Sequence, residues 1–439
     1  MKARVRIALF LVLAVLVAAC GSDGSDTDTD DGTESAATAE PSDDVDDDAD
    51  DAPDDAPDDG AEDADASEAA DADADVSTAE GDPIRIGAVL GISGRFAFVG
   101  GPQQNALVMA EEEINASGGI DGRPVEFVIY DDEVDETKTV PLFNRLVGED
   151  EVVAVIGPSI TIPALAIGPL AEREQIPNIT LTSRAIWEEE GFEYVYQTTP
   201  REEIEVNSIL AFISEELGAS TMAVLHDDQP YGTGNLAYIE QFAPDWGLEL
   251  VGTQSIANGE TNAVPQLEQL RDTEADVLIV WVGDPAASSA AKGLDQIGWD
   301  VPMIGSSAIA GPNFIELGGA AAEGVYSDAT LNYSDPPENQ AAFLEGYQEM
   351  FDSAPTQFAA FAYDAAFALK AAIEAGDGDT SGPSIIEGLQ SLQDFEGVTA
   401  TFNWTAEDHN GLGLDPLFYV VQVTDGAFQV VSDTSTLGR

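Results

Sequence analysis

The sequence predicts an α/β protein of two similar lobes, each a parallel sheet covered by helices. Three observations carry this. The apolar runs are short, continuous and rich in Val and Ile, as at residues 84–90, 152–156 and 277–282. Strands buried on both faces read this way, whereas half-exposed antiparallel strands alternate. Helical stretches of about 10–15 residues separate the runs, the mark of right-handed βαβ units. The alternation restarts after residue 200, so there are two units rather than one long sheet.

In the first unit a strand at 84–90 leads into a glycine-rich loop, Gly91-Ile92-Ser93-Gly94 and then Gly100-Gly101-Pro102. A helix over 103–114 closes at Asn115-Ala116-Ser117-Gly118-Gly119. A strand at 125–130 ends at Asp131-Asp132, and a helix over 137–148 precedes the strand at 152–156. In the second unit, helices over 204–217, 232–246, 264–271 and 286–297 alternate with strands at 221–225, 248–253, 277–282 and 303–305. Helices over 338–351 and 358–375 follow, then a β-rich tail at 398–404, 418–423 and 428–431. Two such lobes enclose a cleft, and ligands of open parallel sheets lie at the carboxyl ends of the strands.

The N-terminus is of another kind. Lys2, Arg4 and Arg6 precede an apolar run over 7–17 and then Ala18-Ala19-Cys20, the order of a secretory signal. The run is too short to cross a hydrocarbon core of about 30 Å comfortably. Leu16-Val17-Ala18-Ala19-Cys20 resembles a bacterial lipobox, which implies a diacylated Cys20 at the start of the mature chain; the alternative is an ordinary cleaved signal. Cys20 is the only cysteine, so no internal disulfide can form. Residues 21–82 contain 27 Asp or Glu and no Lys or Arg. Such a segment cannot bury enough apolar surface to offset its ordering entropy, so a disordered, self-repelling tether is expected, with a random-coil reach of roughly 45 Å. Its Asp runs lack the Gly and terminal Glu of a calcium loop.

Residues 83–439 hold 57 acids against 12 bases. That excludes nucleic acid as a partner, since phosphate contacts need a basic face, and argues against adhesion to an anionic membrane surface. So acidic a surface with so few lysines points to a salty habitat, where ions screen self-repulsion.

Catalysis finds little support. The two histidines, His226 and His409, lie in no metal-ligand spacing, and no nucleophile elbow, phosphate loop or zinc motif is present. Asp131 and Asp132 could be a carboxylate pair, but adjacent strand residues face opposite ways and a solvated strand end explains them. No catalytic residue, metal ligand or cofactor is therefore assigned.

A set of ordered stretches runs through the folded region: residues 86–90 with Ser93-Gly94; Glu113-Ile114-Asn115-Ala116-Ser117-Gly118-Gly119-Ile120-Asp121-Gly122; Tyr130-Asp131-Asp132; Val155-Ile156-Gly157-Pro158; His226-Asp227-Asp228-Gln229-Pro230-Tyr231-Gly232; and Phe361-Ala362-Tyr363-Asp364-Ala365. In order and spacing they resemble the branched-chain amino-acid (leucine/isoleucine/valine) binding proteins of ABC transporters, of periplasmic-binding type I. The resemblance implies two Rossmann-like lobes with parallel central sheets joined by three crossings, placed near residues 200, 326 and 416. One lobe is then 83–200 plus 327–416, and the other 201–326 plus 417–439.

The resemblance also implies a ligand site. Ser159 and Thr161 fall where the family grips a ligand carboxylate; capping the next helix is the structural alternative. Thr182, Ser183 and Arg184 form the next contact loop. Arg184 stands where a hydroxyl residue is usual, either clamping an acid or pointing outward. Tyr231 matches a tyrosine that closes over the ligand from the second lobe; packing on its own lobe is the alternative. Gly283 replaces a common aromatic, leaving Asp284 beside it to meet a ligand ammonium. Ser307 replaces the acid that holds the amino group. Phe96 and Phe98 lie near the cleft mouth, as contacts or as lobe packing. The implied function is a solute-binding lipoprotein of an ABC importer, monomeric, held outside the cell membrane by Cys20, serving a permease and binding a branched-chain or related amino acid or amide. A ligand sensor of the same fold, or a receptor for urea, amides or aromatic acids, is the alternative.

Overall fold

The computed structural model describes residues 79, 81–257, 260–413 and 418–437. Cys20, the apolar run before it and the acidic segment as far as residue 78 lie outside the described residues, as does the crossing expected near 416. Among the described residues no helix is long and apolar enough to cross a membrane.

The first lobe is built on β1 (Ile84–Leu90), β2 (Val125–Asp131), β3 (Ala154–Ile156), β4 (Asn178–Thr180) and β5 (Val195–Gln197). They lie in the order β2-β1-β3-β4-β5, every pair parallel. Its helices are α1 (Ala97–Ala116), α2 (Glu136–Gly148), α3 (Thr161–Glu174) and α4 (Ile186–Glu190). In the second lobe α5 (Glu202–Glu215), β6 (Thr221–Asp227), α6 (Pro230–Phe242), β7 (Glu249–Ile256), α7 (Val264–Arg271), β8 (Val277–Trp281), α8 (Asp284–Ile297), β9 (Met303–Gly305), α9 (Pro312–Gly318) and β10 (Tyr326–Ala329) repeat the plan. The chain returns to the first lobe through α10 (Glu338–Phe351), α11 (Gln357–Ala375), α12 (Gly382–Ser391) and a short hairpin, β11 (Phe395–Glu396) with β12 (Thr401–Phe402). It ends in the second sheet as antiparallel β13 (Tyr419–Thr424) and β14 (Ala427–Asp433).

The second sheet runs β14-β13-β10-β9-β8-β6-β7. Its parallel part, β7-β6-β8-β9-β10, has the same winding as the first sheet. In this winding the order reverses between the first strand and the third, opening a crevice at their carboxyl ends. The loops after β1 and β3, and those after β6 and β8, therefore face the place where a ligand fits.

Each sheet is covered on both faces. In the first lobe Ile86, Ala88 and Leu90 of β1 pack with Ala106, Leu107 and Ala110 of α1 and with Ala362, Ala366 and Leu369 of α11. The alanine-rich face of α11 lets the helices close without voids. In the second lobe β6 and β8 are sandwiched, with Ala223, Leu225, Leu278 and Val280 toward α7 and α8, and Met222, Val224, Val277 and Ile279 toward α5 and α6.

Three expectations change. The first helix begins at Ala97 rather than 103, because Gly100 sits inside it: a Cβ there would come 2.2 Å from the Gly91 carbonyl oxygen, so only glycine lets α1 press against the loop after β1. Residues 326–329 form β10 of the second sheet, which moves the second crossing from near 326 to beyond Ala329. The tail strand expected over 398–404 shrinks to Thr401–Phe402, because Val398 and Thr399 donate instead to the buried carboxylate of Asp364 at 2.6 and 3.0 Å.

Candidate functional site

The four crevice loops enclose a cavity of about 330 Å³ between the lobes. Its first-lobe wall includes Ser159, Thr161, Leu181, Thr182, Ser183, Phe96 and Phe98. Its second-lobe wall includes Glu205, Asp227, Tyr231, Gly283 and Ser307. Phe358 and Phe361 of α11, together with Phe418, add three more rings.

Gly157, at φ +94°, precedes the cis Gly157–Pro158 bond and turns the chain after β3. A Cβ at Gly157 would meet the Val89 carbonyl at 2.4 Å. Ser159 is drawn into the first lobe: its hydroxyl accepts from Gly91 N at 3.2 Å and donates to Gln103 Oε1 at 2.5 Å. It lines the cavity but mainly ties the β1 and β3 loops together. Thr161 is the first residue of α3 and its side chain does not cap that helix. Its hydroxyl lies 2.7 Å from that of Thr182, and both residues are buried. Thr182 in turn accepts, through its carbonyl, the Thr199 hydroxyl at 2.6 Å. Ser183 lines the wall beside them.

Arg184 does not join them. Its guanidinium grips Glu189 through Nε at 3.0 Å and Nη2 at 2.8 Å, and the residue is not part of the cavity wall. Of the two orientations open in the sequence, the outward one holds, because Glu189, five residues on in α4, offers a bidentate partner.

In the second lobe Asp227, ending β6, accepts from Gln229 N at 2.8 Å and Gly232 N at 3.1 Å and so fixes the start of α6. That places Tyr231 against the cavity, its ring 6.2 Å from Trp281. Asp284 is a correction. Gly283 and Pro285 line the cavity but Asp284 does not; its carboxylate turns into the lobe and accepts from Asn313 Nδ2 at 2.6 Å. Burial raises it to about 7 against that bond. A Cβ at Gly283 would lie 3.6 Å from Cζ of Phe98, so a ring of the opposite lobe stands beside this position.

Glu205 was not foreseen. It lies one turn into α5, 3% exposed, and accepts from Ser307 N at 2.8 Å. It is a buried carboxylate in the cavity wall, held by the backbone N–H of Ser307. Burial raises its carboxyl above the usual glutamate range, opposed by the Ser307 bonds. The signal was present as an acid at i, i+3 spacing with Glu202, but acids in a first helical turn ordinarily serve the helix dipole. Asp131 and Asp132 prove to be loop anchors. Asp131 accepts from Ile92 N at 3.0 Å, and Asp132, which is buried, accepts from Val134 N at 2.8 Å and from the Thr139 hydroxyl at 2.7 Å. His409 is stacked between Trp187 and Tyr196. Among the described residues no group of three or more His, Asp or Glu gathers to hold a metal.

The geometry is that of a clamshell site between two lobes, and known proteins share it. The model of the periplasmic binding protein family matches residues 83–427. A leucine-, isoleucine-, valine-, threonine- and alanine-binding protein of Pseudomonas aeruginosa is 27% identical over 310 residues, covering 68% of this chain and 80% of its own. The Leu/Ile/Val-binding protein of Escherichia coli is 24% identical over 59% of this chain and 71% of its own. Among solved structures, the branched-chain amino acid transporter substrate-binding protein LivJ of Streptococcus pneumoniae, in complex with isoleucine, superposes with a TM-score of 0.73. It is 25% identical and covers 80% of this chain and 99% of its own. The chain therefore belongs to the periplasmic binding protein family, and the relatives it matches are solute-binding proteins rather than enzymes.

Proposed function

We propose that the protein is an extracytoplasmic receptor that captures a small amino-acid-like solute between its lobes and delivers it to an ABC permease. One observation carries this reading: the paired hydroxyls of Thr161 and Thr182 on one wall face a cavity whose other wall holds the buried Glu205 carboxylate. Hydroxyl donors suit a carboxylate without bringing a full charge into the pocket. The rings of Phe96, Phe98, Phe358, Phe361 and Phe418 suit an apolar side chain. A volume of about 330 Å³ is at the small end for ligand pockets. The likeness to a protein solved with isoleucine supports the same solute class.

Binding couples to closure because the walls belong to different lobes. A ligand shifts that equilibrium only through contacts made when both walls are in reach. The lipobox at Cys20 and the acidic spacer after it complete the proposal: a lipid anchor, and a tether that leaves the clamshell free to roam near the membrane. Calorimetric titration with a panel of L-amino acids tests the site. Tyr231→Ala weakens the best ligand at least tenfold without lowering the unfolding midpoint; an unchanged affinity overturns this cavity as the solute site.

A further inference from the structure

Behind Glu205, on β10, lies Asp328. It is 0% exposed, and neither carboxylate oxygen has a hydrogen-bond partner. Its β-sheet partner is Val420, which packs among α5 residues, so Asp328 shares the sheet face that α5 covers. The two carboxylates act on each other directly. The remaining groups facing them are few. Ser307 donates to Glu205, α6 brings the Tyr231 phenol, and the charges of Glu205, Glu202 and Asp328 all act on that phenol. Glu202, one turn before Glu205 on α5, is itself 2% exposed. Among the described residues no lysine or arginine acts on Glu205 or Asp328; Arg184 acts on Glu202. Buried carboxylates without a cation are costly unless they are protonated or meet a charge from outside. Glu205 faces the cavity that it lines.

We propose that Glu205, backed by Asp328, is the subsite for a protonated amine of the solute, so that the receptor selects amine-bearing solutes over their deaminated counterparts. This rests on the reading of the cavity as the solute site and assigns the amine to an acid on α5. The resemblance offers Asp284 for that role in place of an acid at Ser307, and Asp284 accepts from Asn313 instead. The unpartnered Asp328 gives the subsite its second property. Two buried carboxylates that act on each other with no cation between them keep at least one proton when the site is empty. The ligand ammonium takes that proton's place, so binding strengthens as pH rises.

Calorimetry with the folded chain decides it, using L-phenylalanine against 3-phenylpropanoate and L-leucine against 4-methylpentanoate, at pH 5.5 and pH 8. The unsubstituted protein is expected to prefer the amine-bearing member of a pair by at least thirtyfold at pH 8, and Glu205→Gln to reduce that preference to threefold or less. Affinity for the amine-bearing probe should rise about tenfold from pH 5.5 to pH 8, and Asp328→Asn should flatten that rise. Both variants should unfold at pH 8 no lower than the unsubstituted protein, which separates lost binding from lost fold. Equal binding of the two members of a pair, or a preference that survives in Glu205→Gln, overturns the subsite while the cavity reading stands. Failure of all four probes to bind at millimolar concentration overturns the cavity reading and the subsite with it.

Discussion

Glu202→Gln should stabilise the protein at pH 8 and leave it unchanged at pH 5. Glu202 lies in the first turn of α5, 2% exposed, and its Oε1 has no partner among the described residues. Burial, then the charge of Glu205, pushes its carboxyl up from 4.5 to about 8, while Arg184 pulls the other way. A folded-state value above the unfolded one means the folded state holds the proton longer. The group's contribution is therefore fully present below about 4.5 and lost as pH rises through about 8. At 1.36 kcal/mol per unit, the interval corresponds to about 4–5 kcal/mol, an upper bound. Relaxation and water penetration reduce such penalties, so about 1–3 kcal/mol is expected. Glutamine keeps the shape and carries no charge, so the variant avoids the loss. Urea unfolding followed by tryptophan fluorescence at pH 5 and pH 8 measures it. A variant less stable than the parent at pH 8 would refute the reasoning, because the attraction of Arg184 would then outweigh burial. So would a gap of equal size at both pH values.

Thr182→Val removes the partner of the Thr161 hydroxyl and one of the cavity's donors. It should weaken solute affinity about tenfold to fiftyfold by calorimetry, in line with about 1.5–2.5 kcal/mol for a hydrogen bond to a charged group. Arg184→Ala should leave affinity within twofold, since its guanidinium is engaged with Glu189 outside the cavity; a tenfold loss would return it to the site. The folded region, with 57 acids against 12 bases, should unfold at higher temperature as salt rises from low to molar concentration. A flat response would remove the case for salt adaptation.

The strands at 84–90 and 303–305 and the helices at 264–271 and 338–351 were legible to the residue, because each is bounded by its own turn chemistry and fills one periodicity. The helix start at Ala97 was not. Gly100-Gly101-Pro102 reads as a loop in isolation, and only the close approach to the Gly91 carbonyl shows why a glycine belongs inside a helix there. The site divides in the same way. Thr161, Thr182, Ser183, Tyr231 and Ser307 are brought to one cavity from positions up to about 150 residues apart. Arg184 and Asp284 stand next to cavity residues in sequence and turn away from it, because each finds a partner on its own lobe. Adjacency along the chain fixes a backbone position and leaves the side chain's direction to packing. Glu205 and Asp328 show the converse. One is an acid at a helix start and the other an acid within a strand, 123 residues later. Their meeting is created only by the crossing of α5 over β10.

The cleft's rings bear on what closure can read. The resemblance implies an aromatic of the second lobe at the position where Gly283 stands. Phe98 reaches that place from the first lobe, within van der Waals distance of where a Gly283 Cβ would stand. Its own neighbours are Phe96 at 6.3 Å and, edge-on, Phe358 at 6.3 Å. An apolar side chain in this cavity therefore meets rings carried largely by the first lobe, whereas the charged contact, Glu205, comes from the second. Gln357 joins the two behind the cavity, donating to the Ser307 carbonyl at 2.7 Å and accepting from Thr330 N at 3.2 Å beside the second crossing. Ser307 thus receives the α11 amide on its carbonyl and offers its own N–H to Glu205. A solute held by its apolar part would bind the open first lobe and leave the equilibrium where it was. A solute that also reaches Glu205 draws on the second lobe, and only that second contact can pull the lobes together.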